Sequence, residues 1–260
     1  MGIDIFIRNP KGITLTKDGV EFLSYARQVV EQTNLLEERY KSHTETRELF
    51  SVSSQHYAFV VNAFVSLLKR ADMTRYELFL RETRTYEIIE DVKNFRSEIG
   101  VLFLNSYNRD VLTKMFDDNR LTYTSLFKAR PHIFVSKSNP LAKHEVVSLE
   151  DLEDFPYLSY DQGIHNSFYY SEEILSQIPH KKSIVVSDRA TLFNLLIGLD
   201  GYTIATGILN SNLNGDNIVS IPLDIDDEID IVYLKHEKAT LSKMGEKFLD
   251  NLVKEVTFDN

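Results

Sequence analysis

Leu49-Phe50-Ser51-Val52-Ser53-Ser54-Gln55 runs into His56-Tyr57-Ala58-Phe59-Val60-Val61-Asn62-Ala63-Phe64-Val65-Ser66-Leu67-Leu68, and this stretch decides the architecture. Its first half is a short apolar run ended by hydroxyl residues, which reads as a strand over 49–52. The second half carries Phe59, Val60, Val61, Phe64, Val65, Leu67 and Leu68, too long a run for a strand, so a helix is expected over 55–69. A helix apolar on nearly every side is buried on two faces. One face packs on its own sheet; the other is either a subunit interface or the interior of a large domain.

Outward from this unit the same alternation repeats. Strands are expected near 77–81, 99–104, 121–127, 131–136, 156–159, 183–187, 202–205, 217–221 and 229–235. Helices are expected over 84–94, 109–117, 167–177, 189–199 and 241–256. Strands alternating with helices are the pattern of an α/β fold with largely parallel sheets.

Composition narrows the function classes. The chain has 260 residues, 43% apolar and 26% charged, with no cysteine, which excludes disulfides, thiolate metal sites and cysteine nucleophiles. The richest apolar stretch, Ala58–Leu68, is broken by Asn62 and Ser66, so no membrane span is expected, and the N-terminus has no long apolar leader. A cytoplasmic protein fits both features. The net charge of −10 argues against this chain gripping nucleic acid by itself, since phosphate neutralisation needs clustered Lys and Arg. The seven histidines show no i, i+4 pair, and glycine-rich phosphate loops and nucleophile elbows are missing, so no metal, no cofactor and no enzyme activity are expected.

Upstream of residue 48 the text changes character. Ile3–Ile7, a turn at Asn9-Pro10-Lys11-Gly12, and Ile13-Thr14-Leu15 read as a hairpin. From 17 to 43, Phe22, Ala26, Val29, Thr33, Leu36 and Tyr40 alternate at spacings of four and three, which is a heptad stripe. Such a narrow stripe calls for a partner helix, so a homodimer or homotetramer is expected; the alternative is an amphipathic helix lying on its own domain.

Ile5-Phe6-Ile7-Arg8 followed by Leu15-Thr16-Lys17-Asp18-Gly19 resembles the signature that closes the winged helix-turn-helix of LysR-type transcription regulators. The helix after it resembles their dimerising linker. The strand and helix order from about Leu49 resembles their two-lobed effector domain, which is like the type II periplasmic binding proteins. The text FIRNPKGITLTKDG and FSVSSQHYAFVVNAF is similar to the Gram-positive branch tied to methionine and cysteine supply. The resemblance implies a remnant wing over 1–16, a linker helix over 17–45, effector lobe one over 46–127 plus 224–260, and lobe two over 128–223. It also implies that the two groove-inserting helices precede Met1, leaving Arg8, Lys11, Thr14 and Thr16 as the DNA-contacting wing; DNA is then a partner of the full-length regulator only.

On this reading the chain senses a small anionic or zwitterionic metabolite between its lobes, and binding shifts the population toward a closed arrangement. The turn Ser53-Ser54-Gln55 is the expected anion site, through hydroxyls and the free N–H groups of a helix start; plain N-capping is the alternative. Thr83, Asn105, Tyr160, Gln162, His165 and Thr206 follow strand ends and are expected to face the same cleft. Two rival functions stay open. A solute-binding protein of a transporter shares the scaffold, and an enzyme on it is not excluded by fold.

Overall fold

The computed structural model describes residues 2–10, 12–41, 48–70, 75–209 and 215–257. The chain divides into two compact units, Met1–Arg47 and Glu48–Asn260. The first holds a hairpin, β1 (Phe6–Asn9) against β2 (Gly12–Leu15), paired from Phe6↔Leu15 to Asn9↔Gly12. It continues into α1 (Lys17–Lys41). Thr16 joins the two: its hydroxyl accepts the Gly19 N–H at 2.8 Å and donates to the Asp4 carbonyl at 2.6 Å, so it caps the helix. Arg8 and Thr14 are both exposed, on opposite faces of the hairpin, whereas Lys11 lies outside the described residues. On α1, Val20, Tyr25, Val29 and Val30 are exposed, and the side chains of Leu36 and Tyr40 lie outside the description.

The second unit contains two five-stranded sheets. Lobe one is built from β3 (Glu48–Ser54), α2 (Ala58–Arg70), β4 (Tyr76–Glu82), α3 (Thr85–Lys93), β5 (Ile99–Leu104), α4 (Arg109–Asp118) and β6 (Leu121–Ala129). Lobe two is built from β7 (His132–Ser136), β8 (Tyr157–Tyr160), β9 (Ser183–Val186), α5 (Arg189–Leu199), β10 (Tyr202–Ala205) and β11 (Ile218–Pro222). The chain then returns to lobe one with β12 (Ile229–His236) and α6 (Lys243–Thr257). The sheet orders are β4-β3-β5-β12-β6 and β11-β7-β10-β8-β9. In lobe one β3 is parallel to β4 and β5, while β12 enters antiparallel between β5 and β6. The architecture is the expected α/β fold of two lobes, but its sheets are mixed rather than largely parallel, with β12 antiparallel to both neighbours in lobe one and β7 antiparallel to both in lobe two.

Packing answers the question left by the apolar helix. Phe64 and Phe50 both meet Phe248 of α6, with ring centroids 6.5 and 5.4 Å apart, and Ser66 donates to Glu255. The second face of α2 is therefore covered by α6 of the same lobe. Burying side chains of this size contributes about 1.5–3 kcal/mol each, and Phe59, Val60, Ala63 and Leu67 are all at most 2% exposed.

Two expectations need correction. The helix expected over 55–69 begins at Ala58, because Gln55 is still held to β5: its N–H donates to the Val101 carbonyl at 3.0 Å. The helix expected over 167–177 does not form. Phe168–Tyr170 make a single 3₁₀ turn, and Leu175 adopts a left-handed backbone with φ 60°. Glu172 and Glu173 are drawn instead into tertiary hydrogen bonds with His56, Gln162 and Tyr160, which outweigh the local helical preference.

Candidate functional site

Where β3 ends, the chain must turn into α2 beneath the strand ends of lobe two. The residues expected to hold an anion here are mostly committed to the fold. Strand alternation sends Ser53 to the α3 side, where its hydroxyl donates to Asp91 at 2.7 Å and pairs with Ser97 at 2.8 Å. Gln55 donates to the Thr85 hydroxyl at 2.7 Å, and its carbonyl oxygen accepts from Tyr57 at 2.6 Å and Phe103 N–H at 3.0 Å. Ser54 is fully buried, and its hydroxyl has no partner among the described residues.

The remaining expected residues divide in two. Thr83 contributes its N–H to the Ser54 carbonyl at 2.9 Å. Asn105 builds its own turn, accepting from the N–H groups of Tyr107 and Asn108 at 3.1 Å each and donating to Asp227 at 3.1 Å. By contrast, Tyr160, Gln162 and His165 all meet lobe one. Tyr160 stacks on His56 with centroids 4.0 Å apart, and His165 stacks on Tyr86 at 3.5 Å. Gln162 donates to Glu172 at 3.0 Å and accepts the Thr85 N–H at 3.2 Å. Gly163 is required between them: with φ +60°, a β-carbon there would lie 2.7 Å from the Arg84 guanidinium, which is ion-paired to Asp161.

Beside these contacts lies a cavity of about 50 Å³. Phe59 and Phe103 of lobe one and Phe134, Leu192 and Ile204 of lobe two form its apolar wall. His56, Tyr57, Glu172, Glu173, Arg189 and Thr206 supply its polar groups. Of the residues expected from sequence, Tyr160 and Thr206 line this space; Thr206 is 7% exposed. His56, Glu172, Glu173 and Arg189 escaped the sequence reading. The signal available was Glu172-Glu173 set between the tyrosines and Ile174-Leu175, a carboxylate pair inside an apolar stretch.

The electrostatics are unequal. Glu172 accepts from the His56 N–H at 3.0 Å and from Nδ1 at 2.8 Å, with side chains only 3% and 7% exposed. Burial alone would lower the His56 pKa, but the hydrogen bond and charge of Glu172 outweigh it and raise it above the ordinary value. Glu173 is buried too. Desolvation first, and then the charge of Glu172, push its pKa well above the usual carboxylate range. Its Oε1 accepts the Tyr160 N–H at 2.9 Å, while Oε2 has no partner among the described residues. A neutral carboxyl facing the cavity can donate as well as accept. Arg189 sits at the start of α5, where Nε donates to Glu82 at 3.0 Å.

A raised folded-state pKa adds stability that is full below the unfolded value and is lost as pH rises toward the folded one. Glu173→Gln is therefore expected to be more stable than wild type at pH 8, with the difference vanishing below about pH 4.5, near the unfolded carboxyl value. Urea melts across pH measure this. A variant less stable than wild type at pH 8 would show that Glu173 is ionised in the fold.

Residues 53–257 match the family model described as the LysR substrate binding domain. Among solved structures, the chain is similar to HinK, a LysR family transcriptional regulator from Pseudomonas aeruginosa. That match has 15% identity and a TM-score of 0.53, over 93% of this chain and 81% of HinK. A full-length BenM mutant matches at 17% identity and TM-score 0.56, over 99% of this chain and 84% of that one. The effector binding domain of QuiR in complex with shikimate matches at 16% identity and TM-score 0.53, over 80% of this chain and 97% of that one. At these identities the likeness is one of fold. No curated protein matches the chain.

Proposed function

The chain belongs to the LysR substrate binding domain family, and we propose from that premise that it regulates transcription by sensing a small zwitterionic metabolite in the cavity between its lobes. The family is one of regulators rather than enzymes. The observation that carries the reading is the mixed wall of the cavity: apolar Phe59, Phe134 and Leu192 face a buried carboxyl, Glu173, and a guanidinium, Arg189. Ligand pockets that fix orientation combine apolar lining with a few convergent polar groups, and a zwitterion can set its carboxylate toward Arg189 while its ammonium donates to an oxygen of the neutral Glu173 carboxyl. Occupancy of QuiR by shikimate supports a small organic effector in this fold.

Several finer assignments belong to the same proposal. The similarity to the Gram-positive branch points to a sulfur amino acid or its precursor as effector. Among the expected contacts, Tyr160 and Thr206 line the cavity and Gln162 holds Glu172 of its wall, which supports a role for these three in binding. Val29 and Thr33, both exposed on the heptad stripe of α1, support a homodimer. Arg8 and Thr14, exposed on the hairpin, support a phosphate-contacting wing in a cytoplasmic, DNA-bound assembly. No helix among the described residues is long and apolar enough to cross a membrane.

The test is a thermal-shift panel of sulfur amino acids and precursors, with matched carboxylates lacking the amine, on wild type and on Ala205→Phe, which fills the cavity. At one hundred times its Kd an effector adds about 2.7 kcal/mol. For a domain of this size that raises Tm by roughly 5–10 °C. The rise should vanish in A205F. Equal shifts in both proteins would refute the site, and a sedimentation run on the same sample giving only monomer would remove the dimer.

A further inference from the structure

Glu172 stands where a bound anion would stand. It lies in the segment between β8 and β9 of lobe two, yet its carboxylate reaches lobe one just ahead of α2, a helix of thirteen residues. One oxygen takes both the backbone N–H and the ring nitrogen of His56, at 3.0 and 2.8 Å, and the other takes the Gln162 amide at 3.0 Å. Negative charge is favoured near a helix start. The backbone is committed to this delivery, because the helix that the sequence would otherwise form is broken at Ser171–Leu175, with Leu175 left-handed.

Glu172 and His56 touch the cavity wall, but both oxygens of this carboxylate are already taken. Gln162 is itself anchored to the Thr85 N–H, and Tyr160 covers the His56 ring, so the carboxylate is enclosed on each side by the protein's own groups. The next residue, Glu173, lines the cavity with an oxygen that lacks a partner among the described residues. A carboxylate already fixed at His56 occupies the donors that an effector's carboxylate would need, and it repels a second anion.

We propose that Glu172 is a built-in carboxylate ligand that fills the anion position at the start of α2, latches lobe two to lobe one, and confines an effector's recognition to the neighbouring cavity at Glu173 and Thr206. The latch goes beyond the sensing role and stands whether or not the cavity takes an effector. Removing the side chain should uncover an anion site that a free carboxylate can fill.

Glu172→Ala in the whole chain, titrated with sodium acetate against sodium chloride of equal ionic strength, tests this directly. The variant is expected to melt several degrees below wild type, and acetate should restore most of the loss with saturation. Wild type and the double variant Glu172→Ala, His56→Ala should respond to the two salts alike. An acetate response absent from E172A, or equally present in wild type, overturns the latch while leaving the effector panel unaffected; a negative panel likewise leaves the latch standing. If E172A fails to fold, Glu172→Gln retains the shape and removes the charge. The other charges facing His56 are Glu82, Asp188 and Arg189, and all three stay in E172Q, so the His56 NMR titration midpoint should fall in that variant. An unchanged midpoint also overturns the proposal.

Discussion

Phe59→Ala is expected to be the most destabilising single change at the site, lowering stability by roughly 3–5 kcal/mol, the range for buried Phe→Ala. Phe59 is 2% exposed. Its ring stacks on Tyr57 at 4.7 Å and meets Phe127 edge-on at 5.4 Å, so truncation forfeits aromatic contacts as well as area. For a unit of this size the loss corresponds to a fall in Tm of roughly 6–20 °C. The cavity it lines should widen, because surrounding side chains relax only partly around deleted atoms. Urea melts give the energy, and uptake of a small apolar probe such as benzene by the variant alone reports the widening. A loss below about 1 kcal/mol would mean that the ring is not packed against Tyr57 and Phe127 as described.

Asp91→Ala is the second. Asp91 is 3% exposed and accepts from Ser53 at 2.7 Å and from Arg96 at 2.9 Å, while Ser53 passes the network on to Ser97. Removing the carboxylate leaves buried hydroxyls without their acceptor, at a cost of about 2–3 kcal/mol. Arg96 is 64% exposed and returns to water, so its release adds little. The measurement decides the role of Ser53. If Ser53 serves the fold alone, Asp91→Ala and Ser53→Ala should each lower the urea midpoint, and their double variant should fall short of the sum because the pair shares one bond. Strict additivity would break the network, and a weakened effector response in Ser53→Ala without loss of stability would restore Ser53 to the binding site.

The contrast between these two neighbours shows what a strand conceals in sequence. Ser53 and Ser54 are adjacent hydroxyls at the end of β3 and look equivalent as text. The pleat points them to opposite faces. One meets Asp91 from 38 residues away, and the other is buried without a partner among the described residues. Likewise, the expected helix start at Gln55 assumed that its N–H would be free, whereas β5 supplies the Val101 carbonyl. Neither partner is visible in a local window.

What the sequence determined by itself is therefore the local physics: apolar runs bounded by turn residues placed the strands from β3 to β12, and the apolar stretch Ala58–Leu68 marked a helix buried on two sides. Heptad spacing likewise announced α1, whereas Thr16, expected as a DNA-contacting residue of the wing, is shown as its cap only by the fold. What only the tertiary structure decided is where charges stop being solvated. Glu172 and Glu173 fell inside the helix expected over 167–177 with nothing to mark them as buried, since local preference carries no information about desolvation. Bringing His56 of lobe one against the segment after β8 gives one carboxylate an imidazole partner and leaves the other without one. Pairing and burial across 116 residues of chain are long-range properties, and they turn a helical sequence into the polar wall of a cavity.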